Sequence, residues 1–576
     1  MTVISREGDT FTLEYDLFSL PTAQHKAGLA GLMLMIDSLE ARKIEPKPII
    51  ESLRPDGARI SFTLPAIQTV FNDLYDSEWV EVASKQIWKD NKGKKKDPKR
   101  VEEASIEVDG KLKVEKKFIY DDVRPKGTFL QEYYPDGNGL YVKLWRDMLW
   151  DTLRAIPTTR NDYKERAKGQ NSALAAEFWG KFERAFVGQE KGRILAEGLA
   201  SSLFIGAENS NAEKVPFKGP VVDSFLLHFW PIVSLIYVPH TWGLERNKDG
   251  GARVTHKQAG FVFSVPEPVD LALFCEDGKA VLRGLNPEGT GIRPRSSIID
   301  LHEEGGLEYL YHFAQRRALE AEDYTLSLCA LEVFHLEREK NGKRIRLLAA
   351  ERLLPRTEVI KEYELLRKDL RNPIFKERIL RNLLDGNSWH AHFEQAFHQH
   401  PLPLFISCQG KTPQGMPVFG SDVSRKFRGI ETELKNDKEG GYMDEQTRDN
   451  ELAMRIYRLI QTYVNLRTEE KSGKKYKDFS EHRDAKGRIR YPQEYRDARE
   501  KVCSDAFLAM RGRREQDFVE YFTGTICSVP QYLPQQEYAA VAGALMSDWE
   551  KIKTLAMLAL SAHSYLSENN KSMEVE

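Results

Sequence analysis

Residues 443–576 carry an almost uninterrupted helical pattern, in contrast to the mixed pattern before them. Apolar residues in the first part of this tail recur at helical spacing: Leu452, Ile456, Leu459, Ile460, Tyr463 and Leu466. Such spacing is typical of helices that bury one face. The last helix is predicted to begin with a capping box, because Glu550 follows Ser547 by three positions. The 134 residues of this tail predict a bundle of four or five helices.

The amino-terminal part alternates strand-like and helix-like segments. Residues 10–18 and 58–64 alternate apolar and polar side chains, which predicts two half-buried strands. Between them, residues 22–42 predict a helix that contains Gly28 and Gly31. Each glycine costs a helix about 1 kcal/mol relative to alanine, so we expect close packing at both positions to compensate. Further along, residues 265–283 predict strands and turns, and residues 307–339 predict a largely helical segment.

These patterns predict an α+β, multi-domain fold. The predicted divisions are a mixed α/β body over residues 1–370 with a basic loop at 85–100 inserted, a connecting region at 371–442, and an all-α helical bundle at 443–576. A chain of 576 residues exceeds the usual size of one domain several times. Its 28 Phe, 22 Tyr and 9 Trp exclude wholesale disorder, because burying so many rings offsets the entropy lost on folding.

The composition and motifs argue against several classes of protein. Five widely spaced cysteines without a CxxC pair support neither a disulfide framework nor a cysteine zinc site, and favour a cytoplasmic protein. The most apolar segment, residues 225–239, is too short to cross a bilayer and is predicted to be buried core. GxxxxGK[ST], HExxH, GxSxG and GxGxxG motifs are all missing. We therefore predict no enzymatic activity, no cofactor and no membrane partner.

One histidine cluster keeps an enzymatic alternative open. His390, His392, Glu394 and His398 have spacings that bring side chains together on a helix, and such a set can hold a divalent metal. The alternative function is therefore a metal-dependent nuclease that uses these four residues. Against it, no distant acidic residue stands out as a further ligand, and histidine-rich helices also occur without function. We predict no metal.

Two segments concentrate positive charge, although the net charge is only −2. Residues 85–100 hold eight Lys or Arg against two Asp, and residues 455–514 hold 17 against nine acidic residues. The second segment interleaves Tyr476, Phe479, Tyr491 and Tyr495 with its cations. Cations that follow phosphates and rings that stack on unpaired bases are the chemistry of nucleic-acid binding. The alternative is a solvated helix face.

An asparagine-containing loop spans residues 207–219, AENSNAEKVPFKG. Asn side chains both donate and accept hydrogen bonds to base edges, and Gly206 before the loop allows a close backbone approach. An ordinary Asn/Ser turn is the alternative.

Several segments resemble one family. LPTAQHKAGLAGLMLMIDSL at residues 20–39, RDMLWDTLRAIPTTRNDY at 146–163, and LFIGAENSNAEKVPF followed by LLHFWPIV are similar to the large subunit of type I CRISPR Cascade, in its I-B or myxobacterial-subtype branch. The resemblance implies a non-catalytic subunit that reads a protospacer-adjacent motif in target double-stranded DNA, holds the crRNA 5′ end and supports R-loop formation in antiviral defence. It implies as partners the crRNA, the Cascade backbone and crRNA-processing subunits, and a recruited helicase-nuclease or other effector.

The resemblance also assigns roles to residues, although the family does not fix which loop reads the motif. Motif reading is predicted for Gly206, Asn209 and Asn211. Phosphate contacts are predicted for Lys214, Lys218, Lys92, Lys94, Lys95, Lys96, Arg154 and Arg160. The bundle resembles the Cascade small subunit, and support of separated strands is predicted for Lys474, Lys475, Lys477, Arg488, Arg490 and Arg496.

A second translation start is a further hypothesis. The codons of residues 438–441, KEGG, can spell a ribosome-binding sequence upstream of Met443. Translation from Met443 would give the bundle as a separate product. Chance codon usage is the alternative.

Overall fold

The computed structural model describes residues 2–88, 94–108, 111–207, 217–246, 252–318, 326–339, 344–407, 416–436, 445–480, 489–528 and 535–566. The chain packs into two compact units. The first comprises Met1–His240 and Gln258–Ile360, and the second comprises Thr241–Lys257 and Lys361–Glu576.

The first unit combines strands with helices. Its amino-terminal elements are β1 Val3–Glu7, β2 Thr10–Asp16, α1 Ala23–Ala41, β3 Ile49–Arg54, β4 Gly57–Phe62, α2 Leu64–Leu74, β5 Ser77–Ser84, β6 Arg100–Val108 and β7 Lys111–Pro125. Its middle elements are α3 Leu140–Met148, α4 Asn161–Ala167, α5 Leu174–Glu190, β8 Ala196–Gly198, β9 Lys218–Pro220, α6 Val221–Ser224 and α7 Trp230–Val233. The later elements are β10 Leu235–Arg246, β11 Ala252–Gln258, β12 Phe261–Pro268, α8 Leu271–Gly284, β13 Gly289–Thr290, β14 Arg293–Pro294, β15 Ile298–Ile299, α9 His302–Ala318, β16 Leu328–Arg338 and β17 Ile345–Leu353. The end of β10 from residue 241 and nearly all of β11 belong to the second unit.

The strands form separate sheets. The larger sheets have the orders β1-β2-β4-β3 and β11-β10-β12-β16-β17, with β15 added in parallel to β10. A third sheet has the order β5-β7-β6, and the pairs β8-β9 and β13-β14 form small ribbons. The described strand pairs other than β10-β15 are antiparallel where their register is given, as in β2-β4 and β12-β16.

Helix α1 is buried along most of its length. A Cβ at Gly28 would overlap the carbonyl oxygen of Leu226, and one at Gly31 would overlap that of Phe229. The close packing predicted at both glycines is confirmed. The apolar segment that includes Leu226 and Phe229 is buried core, also as predicted.

The second unit is mostly helical. Its helices are α10 Thr357–Asp369, α11 Pro373–Asp385, α12 Phe393–Gln399, α13 Phe419–Asn436, α14 Glu445–Ser472, α15 Lys477–Ser480, α16 Gln493–Arg511, α17 Glu515–Tyr521, α18 Gln535–Ser547 and α19 Trp549–Ser564. One hydrophobic core joins residues of α11–α13 to residues of α14, α16 and α19. The sequence-based boundaries at 370 and 442 stay predictions about domains. By packing, the described core residues between 374 and 430 share a core with the bundle.

The α+β fold class is confirmed, but three local predictions were wrong. Much of residues 265–283 is helix α8, whose cap is the Asp270 side chain. The predicted helix at 307–339 ends at Ala318, and β16 follows. The cap of the last helix is Asp548, which accepts from the Lys551 N–H, whereas Ser547 ends α18. Among the described residues, no helix has both the length and the apolarity needed to span a bilayer.

Candidate nucleic-acid interface

The segment predicted to read DNA begins in a loop that is closed at its base. Strands β8 and β9 pair antiparallel, with Gly198 opposite Lys218. The Leu199 N–H donates to the Phe217 carbonyl oxygen at 2.8 Å. Residues 199–217 therefore leave and rejoin the first unit at one place. Lys218, a predicted phosphate contact, is exposed at that base.

Two buried side chains hold the first part of this loop by its backbone. The Gln24 Nε2 donates to the Ile205 carbonyl oxygen at 3.0 Å, and the Ile205 N–H donates to the Gln24 Oε1 at 2.9 Å. The Trp230 Nε1 donates to the Leu203 carbonyl oxygen at 2.7 Å. Buried backbone groups need partners, and here α1 and α7 supply them. Residues 203–205 are thereby fixed to the core of the first unit.

Gly206 follows this anchored segment with a φ of +103°, and nothing lies within 4 Å of the place where a Cβ would stand. Its backbone conformation, which side chains rarely adopt, accounts for the glycine. The predicted loop residues Asn209, Asn211 and Lys214 lie outside the described residues.

Arg154 is only 4 % exposed. Its guanidinium donates to the Ser202 carbonyl oxygen in the same loop. Arg154 thus supports the loop in this structure. A phosphate contact by Arg154 stays a prediction, and the burial of its guanidinium argues against it.

Arg160 is half-buried and lies 4.3 Å from the ring centroid of Trp150. Its Nε donates to the Arg154 carbonyl oxygen at 2.7 Å. Burial lowers the pKa of Arg160 to about 10, with Arg338 and Arg124 acting in the same direction and Asp122 and Asp151 acting against them. The Arg124 guanidinium lies 5.7 Å from the same Trp150 ring. Three arginines from distant parts of the sequence therefore lie near one another, together with the carboxylates of Asp122 and Asp151.

The basic loop between β5 and β6 has a stacked aromatic base. The Trp88 ring lies 4.5 Å from that of Tyr120 and nearly parallel to it, and the Lys96 N–H donates to the Trp88 carbonyl oxygen at 2.8 Å. Lys94, Lys95 and Lys96 are exposed. Lys92 lies outside the described residues. The Trp88 ring thus packs on Tyr120 within the protein, and the exposed groups of the loop are its lysines.

The predicted cations of the bundle have different surroundings. Lys474 forms an ion pair with Glu494. The Arg496 Nε donates to the Tyr491 carbonyl oxygen at 3.2 Å. Lys475, Lys477 and Arg490 are exposed, and Arg488 lies outside the described residues.

Three of the four rings interleaved with these cations are buried. Phe479, Tyr491 and Tyr495 are at most 8 % exposed and form a small core of their own, with Tyr476 packed against it. The suggestion that these rings stack on unpaired bases does not hold for Phe479, Tyr491 and Tyr495, because they are buried against one another, two of the pairs edge to face and one stacked. The spacing that suggested base stacking belongs to a hydrophobic cluster.

The four residues of the alternative metal-site hypothesis do not all converge. Helix α12 begins at Phe393, so His390 and His392 precede it. The His390 Nε2 lies 2.8 Å from the Asp449 Oδ2 in a hydrogen bond, and His392 is exposed. The helical spacing that suggested a shared face therefore does not hold for these two histidines.

Glu394 and His398 do share a face of α12, with 3.5 Å between the Glu394 Oε1 and the His398 Nε2. The same Oε1 accepts from the buried Lys553 ammonium at 2.7 Å. The carboxylate oxygen that a metal would need is therefore already paired with the Lys553 ammonium group. In the part of the chain that the structure describes, the group of three possible metal ligands within 4.8 Å of one another is a different one: His302, Glu303 and Glu351.

Sequence reasoning missed the residues that organise this surface. Gln24 and Trp230 carry no local signal, because each acts on a loop segment far away along the chain. Arg124 and Arg338 join Arg160 only through the fold.

Comparison with known families accounts for both halves of the chain. The model for the Type I-B CRISPR Cas8b N-terminal domain matches residues 48–323, and that for the Type I-B CRISPR Cas8b C-terminal domain matches residues 328–563. A search of curated proteins finds no match. The two family matches meet just before β16, whereas the packing units divide after Ile360. The family resemblance predicted from the sequence is thereby confirmed, and this chain belongs to the Cas8b family of type I-B CRISPR Cascade large subunits.

Proposed function

We propose that this chain is a non-catalytic Cascade subunit that reads the protospacer-adjacent motif of target double-stranded DNA through the loop after Gly206. The observation that carries the proposal is the anchored loop: buried side chains hold its backbone up to Ile205, and Gly206 then turns the chain. Base reading needs donors and acceptors held on a rigid support. In the proposal, Asn209 and Asn211 supply them.

Cations of the first unit hold the duplex in the proposed complex. Lys218 at the loop base and Lys94–Lys96 on the β5–β6 loop are exposed, and in the proposal they contact phosphates. Lys92 and Lys214 belong to the same proposed set. Arg160, with Arg124 and Arg338, provides a further phosphate contact, whereas Arg154 acts by supporting the loop. Phosphate contacts position a protein on DNA, and base contacts supply specificity.

The helical unit supports separated strands in this proposal. Its exposed cations Lys475, Lys477 and Arg490 follow the backbone, together with Lys474, Arg488 and Arg496. The aromatic cluster beneath them holds the lysine-bearing segment and α16 together. Binding here depends on charge and not on base identity.

The proposed partners are the crRNA, whose 5′ end the subunit anchors, the Cascade backbone and crRNA-processing subunits, and a recruited helicase-nuclease or other effector. The proposed setting is antiviral defence in the cytoplasm. A separate product from Met443 is part of the proposal, and residues 437–444 lie outside the described residues.

The test is a binding assay with the assembled guide complex. Target duplexes carry a complementary protospacer flanked by randomised bases, and sequencing of the bound fraction measures motif enrichment. We expect Asn209→Ala with Asn211→Ala to reduce enrichment of the best motif about tenfold, as the loss of a bidentate base contact predicts. Binding to unrelated duplexes should not change.

The matched control is Asn436→Ala, an exposed asparagine at the end of α13. It should leave the enrichment profile as in the wild type. If the double variant also keeps the wild-type profile, another loop reads the motif and the proposal for this loop fails.

A further inference from the structure

Gln24 uses both ends of its side-chain amide on one residue. Its NH₂ group donates to the Ile205 carbonyl oxygen at 3.0 Å, and its carbonyl oxygen accepts from the Ile205 N–H at 2.9 Å. Both residues are buried: Gln24 is 2 % exposed and Ile205 is 7 % exposed. A pair of bonds to both polar groups of one residue determines its orientation as well as its position.

The helix that carries Gln24 is itself immobilised. Thr22 caps the amino terminus of α1 and accepts from the His25 N–H. One turn further on, Gly28 brings α1 against the Leu226 carbonyl so closely that a Cβ would overlap it. The Gln24 amide is therefore presented from a fixed backbone.

An apolar side chain of similar length would fill the same space without orienting the loop. Gln24→Met would leave the buried N–H and carbonyl of Ile205 without their partner, although the Trp230 and Arg154 bonds to Leu203 and Ser202 would persist. A buried donor or acceptor without a partner is destabilising, so we expect this part of the backbone to shift until both groups find new partners. The shift would fall next to Gly206, where the chain turns.

We propose that Gln24 is a positioning residue for motif discrimination, because its amide fixes the point from which the loop after Gly206 approaches DNA. This inference rests on the proposed function. Gln24 touches no DNA in it and acts only through Ile205. Specificity would therefore depend on a buried residue about 180 positions before the loop.

The experiment uses the complete guide complex and duplexes with randomised bases beside the protospacer. For Gln24→Met, we expect enrichment of the best motif to fall about tenfold, approaching the effect of losing a base contact. Affinity for unrelated duplex and its dependence on salt should stay as in the wild type, because phosphate contacts are intact. A merely structural role would lower both kinds of binding together or lower the yield of complex.

Gln24→Glu can keep both bonds in its protonated form, which burial favours. That form accepts from the Ile205 N–H and donates its O–H to the Ile205 carbonyl oxygen, so we expect an enrichment between those of the wild type and Gln24→Met. The matched control is Gln68→Met in α2, where the amide donates to the Ser172 carbonyl oxygen at 3.0 Å, away from this loop. It should keep the wild-type profile. Gln24→Glu also provides the test if the complex with Gln24→Met does not assemble.

Two results distinguish the possible failures. If Asn209→Ala with Asn211→Ala reduces enrichment but assembled Gln24 variants do not, the positioning role is overturned and motif reading by the loop stands. If neither change reduces enrichment, the proposed function of the loop fails and the inference fails with it.

Discussion

Lys553 illustrates, at the scale of single residues, how the helical core accepts a charge. It is 1 % exposed, and its Nζ donates to the Glu394 Oε1 at 2.7 Å and to the Arg513 carbonyl oxygen at 2.9 Å. A buried charge needs such partners, because the interior does not replace its water. The histidine cluster thus contributes a counter-ion to the core, and this role explains Glu394 without a metal.

Glu394→Gln should reveal that role. Breaking a fully buried pair costs about 3–5 kcal/mol, and the 31 % exposure of the Glu394 side chain reduces the expected loss to about 2 kcal/mol. Burial raises the pKa of Glu394, but the bond and charge of Lys553 outweigh it and lower the pKa overall. The ionised carboxylate therefore stabilises above its ordinary pKa, and this stability is lost as the pH falls through the lowered value. Urea unfolding should show the penalty in full at pH 7 and a shrinking one from about pH 5 downwards.

The control for that measurement is Glu550→Gln, at an exposed position of α19. It should change the unfolding free energy by less than about 0.5 kcal/mol. A penalty for Glu394→Gln that is equally small, or that grows towards acid, would contradict a counter-ion role.

At the scale of secondary-structure elements, two glycines of α13 have opposite surroundings. A Cβ at Gly420 would overlap the Ser561 carbonyl oxygen of α19, whereas nothing lies within 4 Å of a Cβ at Gly429. Alanine gains up to about 1 kcal/mol in a helix interior. Gly429→Ala should therefore raise the free energy of unfolding by up to that amount, and Gly420→Ala should lower it by about 2 kcal/mol through overpacking. Thermal unfolding of both variants tests this, and shifts of the same sign would contradict the close packing of α13 on α19.

The elements also show how far local patterns determine the fold. Helix α1 and strands β2 and β4 were predicted, because their apolar periodicity is a local signal. Strand β16 was assigned to a helix because its apolar run fits either structure, and its pairing with β12 decides the outcome. For the candidate site, Gly206 and the exposed lysines were accessible to sequence reasoning. Gln24 was not, because its partner Ile205 is distant in sequence.

At the scale of the whole chain, the aromatic core of the second unit crosses the position of the hypothetical start at Met443. Phe507 of α16 lies 5.2 Å from Phe397 and 5.8 Å from Phe405, centroid to centroid. Tyr457 of α14 lies 4.4 Å from Phe427. Rings before and after Met443 therefore share one core. A product that begins at Met443 would lack one ring of each pair.

This arrangement predicts that residues 443–576 produced alone are less stable than residues 361–576. The shorter fragment would expose Phe507 and the face of α19 that α13 covers. Exposed aromatic faces of this kind mark surfaces that associate. We expect the shorter fragment to unfold at a lower temperature and to self-associate in analytical ultracentrifugation, and the longer fragment to be monomeric.

Phe507→Ser should reduce self-association of the short fragment, whereas Leu508→Ser, at a position already 50 % exposed, should have little effect. A monomeric short fragment with the same thermal midpoint as the longer one would show that α14–α19 form a self-sufficient bundle, and that the contacts with α11–α13 add nothing to its stability.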